Sequence, residues 1–238
     1  MELTQSVINF TDKDLDTQIY RVMPAHRLFE IFESKQLTLV QPGKWDDPFE
    51  NLILKGLING VLERFPASKV FRNDIFGQCW TLQRESDAMW RIYSQDKNGV
   101  RVRCTIRTIL ESIHQFNPDA NLNSIFIGKV KYLAQKDLIS KLMLVEDIYG
   151  REAAKSLLYK RLEFKHESEV RLICTSGVGE NCKLSIDPNK VFDEIVFDPR
   201  MNQHIYKAYS ELLISQGFAR RVSKSVLYQL PKELRGDF

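Results

Sequence analysis

The run Lys165-His166-Glu167-Ser168-Glu169-Val170-Arg171-Leu172 sets two carboxylates two positions apart, with an arginine two positions further on. On an extended chain Glu167, Glu169 and Arg171 share one face, while Val170 and Leu172 point to the other. Carboxylates about 7 Å apart can divide a group transfer, one stabilising developing positive charge and the other taking a proton from the acceptor. On a solvated edge strand the same side chains would only screen one another. Tyr20-Arg21 lies inside the otherwise apolar stretch QIYRVM, where an arginine either snorkels to the surface or is held to bind an anion such as a phosphate. Trp80-Thr81-Leu82, followed by Met89-Trp90-x-x-Tyr93, offers a hydroxyl near a strand end and aromatic faces on the next helix. A stripe at that spacing also suits plain core packing. In Trp45-Asp46-Asp47-Pro48-Phe49-Glu50, Asp46, Asp47 and Glu50 could ligate a hard cation, and Asp-Asp-Pro equally makes a turn and a helix start.

The elements that must carry these groups follow from periodicity. A strand is predicted over 18–23, closed by Pro24, then a helix over 26–34 and an extended stretch over 37–40 before Pro42-Gly43. Apolar residues at i, i+4 steps predict a helix over 50–65. A strand follows over 75–82, and Ser86-Asp87 cap a short helix bearing Trp90 and Tyr93. Over 100–106, Val100, Val102, Cys104 and Ile106 alternate inward while Arg101, Arg103 and Thr105 face out. Further strands are expected at 125–133, 169–175, 183–186 and 194–197, and a helix over 137–162 with a break at Gly150. Ile205, Ala208, Tyr209, Leu212 and Leu213 should line one buried helix face ended by Gly217, and a strand over 219–230 should finish the chain. Helices and strands interleave without a G-x-G-x-x-G turn, so the expected fold is α+β with a mixed, mainly antiparallel sheet and peripheral helices.

Composition narrows the classes. With 43% hydrophobic and 27% charged residues but only 11 Gly and 8 Pro in 238, the chain is neither collagenous nor a disordered linker. No linker or repeat divides it, so one domain is expected over 1–238, with a core at 18–198 and a basic C-terminal helix and strand at 199–230. The absence of an 18-residue apolar run, and of a basic then apolar leader in MELTQSVINFTDKDLD, predicts a cytoplasmic protein with no membrane contact. Cys79, Cys104, Cys174 and Cys182, and the four histidines, have no zinc-ligand spacing; the cysteines should be reduced and packed as small apolar residues. Net charge is only +3, yet the segment from Pro199 to Phe238 holds seven basic and three acidic residues. That end could meet an anionic partner or simply present a solvated basic face.

Taken together, Tyr20-Arg21, Trp45 to Glu50, Met89-Trp90-Arg91-Ile92-Tyr93, Gly99-Val100 and Lys165 to Leu172 occur in the order and spacing of a widespread bacterial family catalogued as a domain of unknown function. The same ordering resembles the ADP-ribosyltransferase superfamily, in particular its class with an arginine on the first strand, a Ser/Thr-bearing strand and a Glu-x-Glu strand. This resemblance implies an ADP-ribosyltransferase-like split sheet, with NAD as the substrate. It implies further that Tyr20 and Arg21 help hold an NAD phosphate, and that Thr81 takes the place of the serine shaping the nicotinamide-ribose pocket. Trp90 or Tyr93 would stack on nicotinamide, Glu169 would be the catalytic glutamate, and Glu167 would act on the acceptor. Trp80-Thr81-Leu82 stands where that superfamily has Ser-Thr-Ser. The acceptor would be water, a nucleic acid or a protein. A role as a toxin or phage-defence effector with an inhibitory partner protein also follows from the likeness.

Three functions therefore compete: an NAD-consuming transferase or glycohydrolase; a non-catalytic nucleotide- or nucleic-acid-binding domain using Arg21 and the basic C-terminal segment; and a metal-dependent hydrolase or nuclease built on Asp46, Asp47, Glu50 and Glu167. They differ in which residues must meet. The first needs Arg21, Thr81 and Glu169 together, and the third needs Asp46, Asp47 and Glu50 beside Glu167.

Overall fold

The computed structural model describes residues 3–45, 47, 49, 74–143 and 149–230. Its centre is a ten-stranded, mainly antiparallel sheet in two halves. In one half β2 (Gln18–Pro24) pairs with β5 (Gly99–Thr105), which pairs with β11 (Glu194–Phe197), and β12 (Arg221–Lys224) runs parallel to β11 at the edge. In the other half β4 (Phe76–Thr81) pairs with β9 (Glu169–Cys174), which pairs with β6 (Ile125–Lys129), and β1 (Val7–Ile8) runs parallel to β6. The halves meet through one residue pair, Tyr20 with Thr81. Beyond it β2 and β4 diverge, which makes the sheet split. A ribbon of β3 (Gln36–Val40) and β10 (Asn181–Ser185) joins β4 through Val40 and Gly77.

Alternation along the strands builds two cores. Ile19, Met23, Val100, Val102, Val170, Leu172 and Phe197 face the larger one, under helices α1 (Ala25–Ser34) and α3 (Ile106–Phe116). Helix α2 (Asp87–Tyr93) packs on β2. Ile173 and Phe126 face the opposite way, into a smaller core with Ala153, Ala154, Leu157 and Leu158, supplied largely by α5 (Gly150–Ser156), which follows α4 (Gln135–Met143). Both faces of β9 are thus covered, so β9 is a central strand and not a wet edge. A separate two-stranded parallel ribbon, β7 (Lys131–Leu133) with β8 (Tyr159–Arg161), lies next to it.

Several sequence expectations are corrected. Arg101 does not face solvent: it is 3% exposed and ion-paired to Glu194 at 2.6 Å, because the second face of β5 is itself covered. Ile106 begins α3 and does not end the strand, since Thr105 caps that helix by accepting from the Thr108 amide. The stretch 125–133 is two strands in different sheets, broken at Val130. The helix expected to reach Leu162 ends at Ser156, and Tyr159–Arg161 is extended. In α7 (Gln203–Ser215, following the short α6, Pro188–Val191), Tyr206, Tyr209 and Leu213 pack inward while Ile205 and Leu212 are exposed. The final strand is confined to Arg221–Lys224. The predicted helix over 50–65 lies outside the described residues.

Gly77 shows how closely a loop can lie on the sheet. A Cβ there would sit 2.6 Å from the Trp45 ring, closer than carbon atoms pack. Gly77→Ala should therefore destabilise the protein by about 1–3 kcal/mol, read as a lowered urea midpoint. An unchanged midpoint would mean that the Trp45 ring shifts without cost.

Candidate functional site

Three sequence-selected residues fall in one line across adjacent strands: Tyr20 on β2 is opposite Thr81 on β4, which is opposite Glu169 on β9. Residues paired in this way share a face of the sheet. That face turns inward toward the smaller core at β9, which makes Glu169 a buried carboxylate, 4% exposed.

Glu169 is held from four sides. The Arg171 guanidinium donates from Nε to Oε1 at 2.9 Å and from Nη2 to Oε2 at 2.8 Å, and Lys160 donates from Nζ to Oε2 at 3.2 Å. The Cys79 thiol bonds to the same carboxylate, and the Glu169 amide donates to the Tyr132 hydroxyl at 2.7 Å. Burial alone would raise the Glu169 pKa, but Arg171, Lys160 and Cys79 outweigh it and hold the carboxyl at about 2. Arg171 is fully buried; its Nη1 donates to the Leu157 carbonyl at 2.6 Å and its plane lies 4.4 Å from the Trp45 ring.

Glu167 reaches the cluster by a different route from the one its spacing suggests. It ends a short 3-10 turn, and Ser168 has φ 45°, so the chain is not extended there. Glu167 and Glu169 nonetheless converge, because Lys160 also donates to Glu167 Oε2 at 2.5 Å. Thr81 fixes the turn: its hydroxyl donates to the Glu167 carbonyl at 2.5 Å and accepts from the Gln83 amide at 3.0 Å. With both roles filled and 2% exposure, Thr81 shapes the path of the chain.

Arg21 is the opposite case. Half-buried beside the split, it has no hydrogen bond or ion pair with any described residue. Burial lowers its pKa to about 10, with Cys79 and Tyr93 pulling it back up; it remains a cation at neutral pH. Tyr93 leaves 41% of its surface open, and burial of the rest, with Glu167, Cys79 and Glu169 nearby, pushes its hydroxyl up to about 12. Tyr93 and Cys79 thus lie near Arg21 and also near Glu169. Trp90 does not compete for the open face: it is 1% exposed, and its Nε1 donates to Glu85 at 2.9 Å. Tyr20 is likewise buried, its hydroxyl donating to Gln18 at 2.8 Å.

Asp47 is committed elsewhere. Its carboxylate takes Arg161 Nη2 at 3.2 Å and the Phe49 amide at 3.0 Å, and the Arg161 guanidinium stacks on Phe49 at 4.4 Å. Asp46 and Glu50 lie outside the described residues, and among the described residues no group of three or more His, Cys, Asp or Glu could hold a metal ion. The basic C-terminal segment is partly internal: Arg200 pairs with Asp198 at 2.7 Å and donates to the Trp90 and Ser94 carbonyls, and Lys224 donates to the Met201 carbonyl at 2.6 Å. Arg220 is exposed. No helix among the described residues is long and apolar enough to cross a membrane.

Sequence reasoning did not single out Lys160, Tyr132 or Cys79. Lys160 was assigned to a helix, where its partners are invisible; recognising that the helix stops at Ser156 would have placed Lys160 on an extended segment.

A family model described as "Protein of unknown function (DUF2971)" matches residues 89–172, a span that holds both the Met89-Trp90-x-x-Tyr93 helix and the Glu169-x-Arg171 strand. Comparison with curated proteins finds no match. Among solved structures the chain is similar to DarT of Thermus sp. 2.9 in complex with NAD+, at 10% identity, covering 88% of this chain and 96% of that one with a TM-score of 0.41. It is similar also to that protein's complex with ADP-ribosylated ssDNA, at 12% identity, 88% and 94% coverage and a TM-score of 0.41. Its complex with carba-NAD+ matches at 12% identity, 88% and 96% coverage and a TM-score of 0.40.

Two outcomes follow from the contrast between the arginines. Arg21→Met should leave the thermal midpoint unchanged or raise it, whereas Arg171→Met should cost about 3–5 kcal/mol by stripping a buried carboxylate of its main partner. Equal losses in the two variants would contradict the assigned pairing. Because the folded Glu169 pKa of about 2 lies below its ordinary value of 4.5, its stabilising contribution is present above pH 4.5 and lost as pH falls toward 2. Denaturation measured between pH 6 and 2.5 should show this loss, and Glu169→Gln should flatten it.

Proposed function

We propose that the protein binds NAD where the two half-sheets part and breaks its nicotinamide–ribose bond, transferring ADP-ribose to an acceptor or to water. The observation that carries this is a pairing of opposites: an Arg21 guanidinium with no partner among the described residues, suited to a diphosphate and near the open Tyr93 ring, which in turn lies near the ionised, buried Glu169. As the C–N bond breaks, its electron pair stays on the nicotinamide nitrogen and positive charge develops on the ribose. A carboxylate accepting a hydrogen bond from a ribose hydroxyl stabilises that charge most in the transition state. The acceptor atom then bonds to the ribose carbon and gives its proton to Glu167, whose side chain is 16% exposed and so reachable from solvent.

A second function has its own support. Arg171, Lys160 and Cys79 already occupy the Glu169 carboxylate, which suits a protein that binds a nucleotide at Arg21 without cleaving it.

Incubation with NAD separates the two. Catalysis predicts nicotinamide release, reduced roughly 100-fold or more by Glu169→Gln when rates are scaled to the folded fraction. Arg21→Met should raise KM for NAD in a protein of undiminished stability. Saturable NAD binding without release would favour the binding module, and neither binding nor release would end the NAD proposal.

A further inference from the structure

The ribbon β7–β8 is unusual in having three residues per strand and only two strands, too short to be stable alone. Its middle pair is Tyr132 opposite Lys160, and both reach the same glutamate: the Tyr132 hydroxyl takes the Glu169 amide at 2.7 Å, and the Lys160 ammonium lies 3.2 Å from Glu169 Oε2 and 2.5 Å from Glu167 Oε2. Lys160 is itself buried, 7% exposed, with its Nζ 4.6 Å from the Phe164 ring centroid. A long, charged side chain is seldom buried without an anionic partner. Here it has two, and it is the sole described group bonded to both carboxylates.

We propose that Lys160 is a positioning residue: its ammonium bridges Glu167 and Glu169 and draws the two carboxylates together across the turn at Ser168. This rests on the assignment of Glu167 and Glu169 to the reaction. Without the bridging cation the two carboxylates would repel, and Glu169, which Lys160 helps to hold low, would take up a proton at a higher pH. Among the described residues, the charged and titratable groups facing the pair are Arg171 on β9, Lys160 on β8, Tyr132 on β7, Cys79 on β4 and Tyr93 on α2. Of the two carboxylates, Arg171 bonds to Glu169, through Oε1 and Oε2. It therefore secures Glu169 but leaves Glu167 dependent on Lys160.

The test compares wild type with Lys160→Met, Lys160→Gln and Lys160→Arg. Each is followed in two ways: kcat and KM for nicotinamide release across pH 2.5 to 8, and the thermal midpoint over the same range. Removing the charge should move the acid limb of kcat up by about one pH unit, a roughly ten-fold loss on that limb, with KM for NAD within about two-fold. Lys160→Arg should return the limb to its wild-type position. In the thermal series the neutral variants should start from a lower midpoint at neutral pH and lose less of it on acidification below pH 4.5 than wild type, since a folded Glu169 pKa closer to its unfolded value leaves less pH-dependent stability to lose. This second readout does not need turnover: if wild type releases no nicotinamide, the NAD proposal fails while the thermal profile still decides the role of Lys160. A midpoint lowered equally at every pH, with the acid limb in place, would overturn the proposal and make Lys160 a packing residue. So would failure of both neutral variants to fold while Lys160→Arg keeps wild-type kcat at every pH.

Discussion

The ion pair between Glu169 and Arg171 constrains everything built around it. Both groups are removed from water, and desolvating two charges is repaid only when geometry is good and the remaining donors and acceptors are satisfied. Each neighbour meets part of that requirement. Arg171 sends two donors to the carboxylate and one to the Leu157 carbonyl, and its plane lies against Trp45. Trp45 can lie there because Gly77 leaves room on β4. Lys160 and Cys79 take up the remaining capacity of Glu169. Beyond Trp45, Asp47 pairs with Arg161, the neighbour of Lys160 on β8.

Arg21 shows the reverse economy. Arg171 and Arg101 are both buried arginines with carboxylate partners, whereas Arg21 is desolvated without a described partner. The arrangement separates two tasks along β2 and β9. Strand β9 carries a neutralised pair that anchors the sheet, and β2 carries a charge with no partner among the described residues, where the half-sheets diverge.

Much of this was legible in the residues. The strand character of 18–23, 75–82 and 169–175 followed from alternation, and the Ser86 cap was readable because Ser-Asp precedes an apolar helix; the Ser86 hydroxyl does accept from the Met89 amide, at 3.2 Å. Alternation also sorted Glu169 and Arg171 onto one face and Val170 and Leu172 onto the other. It could not say whether that face was covered, so Arg101 read as solvent-facing and a wet edge stayed open for Arg171, when both are buried. The covering elements were the hidden part: 159–161 continues an apolar helical pattern through Leu157 and Leu158, and only long-range pairing with 131–133 makes it extended. For Trp90 and Tyr93, three residues apart on one helix, spacing alone could not choose. Burial chooses, placing the Trp90 indole on Glu85 and leaving the Tyr93 ring open.

The position of Tyr93 depends in turn on the C-terminal part of the chain. Ser94, the next residue, donates to Asp198 at 2.6 Å and accepts from the Gly99 amide, while Arg200 clasps the Trp90 and Ser94 carbonyls. Ser225 donates to the same Glu85 carboxylate that holds the Trp90 indole, and the Tyr228 hydroxyl bonds to Asp87 in the first turn of α2. Helix α2 has seven residues and one capping side chain, too little to be rigid in isolation. Its orientation is therefore set by contacts more than 100 residues away in sequence. The basic excess of the C-terminal segment thus acts first inside the protein: Arg200 fixes the end of the helix from which the open Tyr93 ring projects, and the distance between that ring and Arg21 is as much a property of β11 and the turn after it as of β2.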